Sequence, residues 1–181
     1  MTRSWHRPIL ALIVLVGALA VSASAQGFTV TKLGEGKMVA GSAQLIKTTA
    51  GTIECKKASA VLDFTAYTFE IVEVSKLKYS ECAGLGTTAS VTPASYEFNE
   101  NGAMQLEKAM TIEPEALGCS FVFERATGET VSYSIDASGR LVLDLDVSGL
   151  PYSGTGGVCG GSGKAKYSGV LEAEDTGGKF V

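Results

Sequence analysis

The chain has 181 residues, 45% of them hydrophobic, with a formal charge of −4, four cysteines, one histidine and one tryptophan. That apolar share suits a packed core. The acidic balance, with no cluster of Lys or Arg between aromatics, excludes nucleic acid as an expected partner.

Arg3, His6 and Arg7 precede an unbroken apolar run over residues 9–21, which ends at Ala23-Ser24-Ala25. A basic start, an apolar middle and a small-x-small exit form a secretory signal peptide over 1–25, with cleavage expected before Gln26. The run falls short of the roughly twenty residues that a comfortable membrane span requires, so no membrane association is expected after cleavage. The alternative is an uncleaved anchor. Gln26 and not cysteine stands directly after the cut, so no lipoprotein attachment point is expected. Cleavage removes Trp5, His6, Arg3 and Arg7, leaving 13 basic against 19 acidic residues, a formal charge of −6, and neither histidine nor tryptophan.

The span 26–181 suits one domain, which at this size buries roughly 70% of the extended chain's surface. Residues 28–33 and 37–47 read as two opening strands. Gly41 inside the second suggests a bulge or a close approach of neighbouring chain. Residues 53–64 and 67–79 alternate apolar and polar side chains and read as two long strands turning near Thr65-Ala66. Folding that hairpin about its midpoint sets Cys55 opposite Cys82. Four cysteines allow three pairings, and this one leaves Cys119 with Cys159. Exported cysteines in even number are expected to be oxidised, and each bridge contributes roughly 3 to 4 kcal/mol in the chain-entropy view. The nearest two lie 27 positions apart, too far for a C-x-x-C redox motif.

Ala83-Gly84-Leu85-Gly86 reads as a turn, and Pro93 stops a short strand over 87–92. Asn101-Gly102 is the strongest short hairpin signal in the chain, joining strands over 95–100 and 103–113. From Cys119 to Val147 three runs, CSFVFER, ETVSYSID and RLVLDLDV, each alternate with a period of two. Between them lie Ala126-Thr127-Gly128 and Ala137-Ser138-Gly139, and the pattern predicts an antiparallel meander. A stretch over 154–163 with six glycines leads to a last strand over 164–174. With no repeat, no heptad and no twelve-residue amphipathic helix, the fold class expected is all-β: one antiparallel β-sandwich or barrel-like domain.

The absence of histidine after cleavage excludes nucleophiles activated by imidazole and zinc sites built on it. Carboxylates remain. A glycan hydrolase needs two facing each other across the substrate, and Asp144 and Asp146, on one strand face about 7 Å apart by strand rise, are the pair to weigh. Their parity is opposite to that of Leu141, Leu143 and Leu145, which points them to solvent. Tyr133, Tyr152 and Tyr167 are the candidates for a sugar-stacking platform in place of tryptophan. For calcium, Glu172, Glu174 and Asp175, or Glu113 and Glu115, offer oxygen ligands, without an EF-hand loop. The glycine-rich stretch fails as a phosphate loop because Ala165 follows Gly163-Lys164. Gly84-Leu85-Gly86-Thr87-Thr88-Ala89 matches a dinucleotide fingerprint but opens no helix. No catalytic, cofactor or metal residue is therefore assigned; the assigned residues are the disulfide set Cys55, Cys82, Cys119 and Cys159.

The order of Gly51-Thr52-Ile53-Glu54-Cys55, Tyr79-Ser80-Glu81-Cys82, Gly118-Cys119-Ser120-Phe121-Val122-Phe123, Cys159-Gly160-Gly161 and Tyr167-Ser168-Gly169 resembles a group of small exported all-β proteins of high-GC Gram-positive bacteria. The group has no characterised activity. The resemblance spans most of residues 26–181 and implies export and disulfides, not an activity. Some members carry a further cysteine pair that this chain lacks. The expectation is a secreted, disulfide-stabilised, non-catalytic β module that is extracellular or associated with the cell wall and takes a ligand from there. The alternatives are a carboxylate-dependent glycan hydrolase and a self-associating envelope subunit.

Overall fold

Period-two patterning fixes which side chains share a face, and in a closed sheet one of those faces must fill the interior. The computed structural model describes residues 27–174, so the expected signal peptide lies outside the described residues. The strands are β1 (Phe28–Thr29), β2 (Gly34–Ala40), β3 (Gln44–Lys47), β4 (Thr52–Phe64), β5 (Thr68–Phe69), β6 (Ile71–Gly84), β7 (Thr87–Val91) and β8 (Ala94–Asn99). They continue with β9 (Ala103–Lys108), β10 (Met110–Pro114), β11 (Ser120–Phe123), β12 (Thr127–Thr130), β13 (Ser132–Ile135), β14 (Leu141–Thr155) and β15 (Gly161–Ala173). Every pairing is antiparallel.

The short strands are segments of longer staves. β2 and β3 both pair with β4 and both with β15, so residues 34–47 form one bent stave broken at Gly41–Ala43. β7 and β8 both pair with β6, bent around Pro93. β10 pairs with β7 and β9 with β8, so 103–114 is the next stave. Residues 120–135 follow: β11 pairs with β10, β12 with β9, and β11 and β13 with the two ends of β14. β14 pairs along its length with β15, which returns to β2 and β3. Eight staves thus run up and down in chain order, and the last closes on the first.

This arrangement corrects the expected meander over 119–147. The turn at Ala137-Ser138-Gly139 is real: β13 and β14 form a hairpin, Gly139 N donates to Asp136 O at 2.9 Å, and Gly139 takes φ +81°. Asp136 Oδ1 accepts from Arg140 N at 2.9 Å and Ser138 N at 2.8 Å, and its Oδ2 accepts from Arg140 Nε at 2.7 Å. These bonds, led by the Arg140 backbone N–H, hold its carboxyl below the usual aspartate range. Ala126-Thr127-Gly128, by contrast, makes no hairpin. It is a bulge within one stave, where the register against β9 shifts between Thr127 and Glu129. A bulge and a tight turn draw on the same glycine, so composition alone does not separate them.

Further bulges, between Ser59 and Val61, Val74 and Leu77, and Ser148 and Leu150, let β4, β6 and β14 bend around the interior. At Asn101-Gly102 the expected hairpin forms, with Asn99 Oδ1 accepting from Asn101 N and Ala103 N. Gly102 takes φ +75°, and a Cβ there would run into the Val131 carbonyl.

The interior is packed with Phe98, Phe121, Phe123, Met38, Ile46, Ile53, Leu62, Leu77, Ile112, Leu141, Leu143 and Leu145, each essentially without exposure. One end is plugged by the short β1–β5 ladder. There Phe28 stacks on Phe69 at 5.8 Å and meets Phe98 edge-on at 5.6 Å. Toward the other end lie both bridges, Cys55–Cys82 and Cys119–Cys159, as the hairpin argument expected. Cys55 and Cys82 stand directly opposite each other in the β4–β6 register.

Truncating a filled interior leaves a void that the closed wall cannot collapse upon. Phe121→Ala is expected to cost about 3 to 5 kcal/mol in equilibrium unfolding, whereas Asp144→Asn on the outer face changes stability by less than about 0.5 kcal/mol.

Candidate functional site

With the interior occupied by side chains, surface chemistry has to be built on the outer wall and the rims. A hollow of about 480 Å³ opens beside the Cys119–Cys159 bridge and is lined by Ser90, Glu113, Pro114, Glu115, Gly118, Cys119, Ser120 and Thr155. It rests on β7, β10, β11 and β14, neighbours in the wall. The register sets Ser90 against Glu113 and Ser120 against Thr155, while Ile112 against Phe121 places Glu113 and Ser120 on adjoining positions. Ser90, Glu113, Ser120 and Thr155 therefore form one outward row across four strands, spanning roughly 14 Å at the usual strand spacing.

One polar pair lies beside the row and another within it. Thr88 Oγ1 donates to Glu115 Oε2 at 2.6 Å, and the Ser120 and Thr155 hydroxyls share a hydrogen bond at 2.9 Å. Glu115 is also anchored by its backbone N–H, which donates to Thr88 O at 2.9 Å. Both glutamates are exposed, and the Cys119 side of the hollow is buried. The glycine-rich stretch supplies the rim: β14 and β15 meet as a hairpin, with a 3-10 turn over Gly157–Cys159. Gly156 takes φ +76°, and a Cβ on it would sit 2.8 Å from Gly118 O, so only glycine lets these two loops close against each other.

The other residues singled out from sequence are dispersed. Asp144 and Asp146 stand exposed on the outer wall, as their parity expected, and Asp146 pairs with Lys166 Nζ at 2.5 Å. Glu174 pairs with Lys37 at 2.9 Å, Glu172 lies beside Gly41, and Asp175 falls outside the described residues. Among the described residues, no group of three or more His, Cys, Asp or Glu could hold a metal ion. Glu113 and Glu115 do come together at the hollow. Tyr133, Tyr152 and Tyr167 offer no stacking platform: Tyr152 and Tyr167 are buried and Tyr133 packs against the core. Gly84-Leu85-Gly86 is the β6–β7 hairpin turn, and Lys164 lies within β15. Ser90, Ser120 and Thr155 carry no sequence signal, since their association exists only once strand neighbours and register are known.

Inside the barrel a second polar feature survives. Tyr79 Oη donates to Tyr167 Oη at 3.2 Å, Tyr167 Oη donates to Gln44 Oε1 at 2.7 Å, and Gln44 Nε2 donates to Ser42 O at 2.8 Å and Val170 O at 2.9 Å. Burial pushes the Tyr79 hydroxyl up to about 12, partly offset by its bond to Tyr167, and burial likewise raises Tyr96 and Tyr167 well above the ordinary tyrosine range.

No protein-family model, curated protein or solved structure matches this chain. Among the described residues no helix is long and apolar enough to cross a membrane.

A phenol whose folded pKa is raised keeps its proton while the unfolded chain's is released. The stability it contributes is complete below about pH 10 and lost as pH rises toward about 12. In an alkaline titration, phenolate absorbance from Tyr79, Tyr96 and Tyr167 is expected to rise together with loss of β circular dichroism, not before it. Full ionisation of all six tyrosines in an intact barrel would contradict their placement.

Proposed function

We propose that this protein is a secreted, non-catalytic β module that binds a hydroxyl-rich extracellular polymer, a glycan of the cell wall or its surroundings, at the hollow beside Cys119–Cys159. The observation that carries the reading is the row of Ser90, Glu113, Ser120 and Thr155 with Glu115 alongside, held on rigid strands and open to solvent. Carboxylates accept strong hydrogen bonds from hydroxyls, and serine and threonine both donate and accept, so such a row suits a ligand rich in hydroxyl groups. An open hollow admits a stretch of polymer where a closed pocket would admit only its end.

Three further observations support this assignment. The filled interior directs a ligand to the outside of the barrel. The outer wall carries charged side chains such as Glu54, Lys56, Lys57, Asp63, Glu73 and Lys78, unlike the apolar band that faces lipid in a membrane-spanning barrel. The apolar leader over residues 9–21, and a cysteine and turn order that resembles that of small exported all-β proteins, support secretion.

Screening the oxidised protein against glycan and polymer panels tests the reading. Binding without turnover is expected, with Glu113→Gln and Glu115→Gln each weakening it about tenfold or more, the loss of one charge-assisted hydrogen bond. Turnover that disappears in Asp144→Asn or Asp146→Asn would replace this reading with the hydrolase. Glycan binding unchanged in both glutamate variants would remove the hollow as its site.

A further inference from the structure

On the other side of β14 from the rim hollow, three lysines gather on the outer wall. Lys47 of β3 and Lys164 and Lys166 of β15 line a hollow of about 270 Å³ together with Ser148 and Gly149 of β14. Register dictates the grouping. Lys47 stands directly opposite Lys166, Lys166 stands opposite Ser148, and Lys164 is two residues along the same face, about 7 Å away by strand rise. Like charges set opposite each other across a ladder destabilise it. The protein relieves only part of that repulsion: Lys166 pairs with Asp146, whereas Lys47 and Lys164 make no ion pair among the described residues. Gly149 takes φ +98° at the bulge, and a Cβ on it would lie 3.2 Å from the Glu129 carboxylate and 3.9 Å from Lys164 Nζ, so glycine keeps the floor of the hollow clear. Asp146 and Glu129 stand at the border, and neither lines the hollow.

We propose that this hollow binds a phosphate group, carried as a substituent on the hydroxyl-rich polymer that the rim hollow takes. The ligand class follows from the donors. Lysine offers a compact point charge whose hydrogens turn freely, whereas a planar carboxylate is better matched by the arginine fork. Neither arginine of residues 26–181, Arg125 nor Arg140, lines the hollow. Three ammonium groups reaching one hollow suit a tetrahedral oxyanion, and the Ser148 hydroxyl opposite Lys166 adds a donor. The formal charge of −6 over residues 26–181 opposes a densely charged polyanion, so isolated phosphates on an otherwise neutral glycan fit better. The two hollows share one outward track. Thr155 and Ser153 lie on β14, Ser162 stands opposite Ser153, and Lys164 comes next along β15, about 14 Å from Thr155 by strand geometry. That a glycan carries the phosphate rests on the function proposed above; the phosphate site itself does not.

The test is a titration of the oxidised protein with inorganic phosphate at constant ionic strength, followed by amide shifts in nuclear magnetic resonance, on the wild type, Lys47→Gln and Lys164→Gln. Saturable shifts are expected at Lys47, Ser148, Gly149, Lys164 and Lys166, with each variant weakening phosphate about tenfold, the loss of one charge-assisted hydrogen bond. Shifts that do not saturate, or saturation unchanged in both variants, overturn the proposal. A glycan bearing phosphate monoesters is then compared with the same glycan after phosphatase treatment. The phosphate is expected to tighten binding about tenfold or more in the wild type and to bring no gain when both lysines are replaced. Equal binding of the two glycans, or tighter binding of a DNA duplex than of either, overturns the assignment of the ligand. Phosphate that saturates the lysines while neither glycan binds would remove the glycan reading and keep this site.

Discussion

The closure of β15 onto β2 and β3 is the constraint from which the rest of this structure follows. Tyr167 pairs with Ile46 and Leu171 with Ala40, so the last stave completes the wall that the first began. A sheet closed this way has no free main-chain edge between its first and last staves, and alternate residues are committed to an interior that eight strands leave only wide enough for side chains. The bulges in β4, β6 and β14 and the breaks near Gly41, Pro93 and Ala109 are where the staves bend to meet.

A filled barrel leaves its outside to do the work. Adjacent strands set polar side chains in rows, and the row from Ser90 to Thr155 lines the hollow beside Cys119–Cys159. The Cys119–Cys159 bridge ties the entry of β11 to the hairpin of β14 and β15 at that hollow's edge. Cys55–Cys82 fastens the β4–β6 hairpin elsewhere in the wall. The two links thus have different consequences: one fixes a hairpin's register, the other shapes a rim.

Much of the fold was legible in the sequence because it depends on local pattern. Period-two alternation placed Leu141, Leu143 and Leu145 inward and Asp144 outward, and Asn101-Gly102 marked its hairpin. The expected long hairpin does set Cys55 opposite Cys82, although its turn spans 65–70, where β5 leaves to pair with β1, and is not confined to Thr65-Ala66. What pattern cannot supply is the neighbour. The runs on either side of Ala126-Thr127-Gly128 look like two arms of a hairpin, yet they are successive lengths of one stave with different partners. The same limitation hid the candidate site. Glu113 and Glu115 were visible as acids near one another in sequence, but Ser90, Ser120 and Thr155 join them only through register. Tyr152 and Tyr167 were misleading for a related reason: a tyrosine looks the same in sequence whether its hydroxyl reaches solvent or a buried partner such as Gln44.

Closure is best tested in solution by cross-strand nuclear Overhauser effects between protons of Ile46 and Tyr167, and between those of Val91 and Ile112, on the native oxidised protein. Both sets are expected together, since each reports a separate seam of one continuous ring. Loss of the Ile46–Tyr167 set while the Val91–Ile112 set remains would mean an open sheet, and the enclosed interior, the outward rows and the rim built upon them would all have to be redrawn.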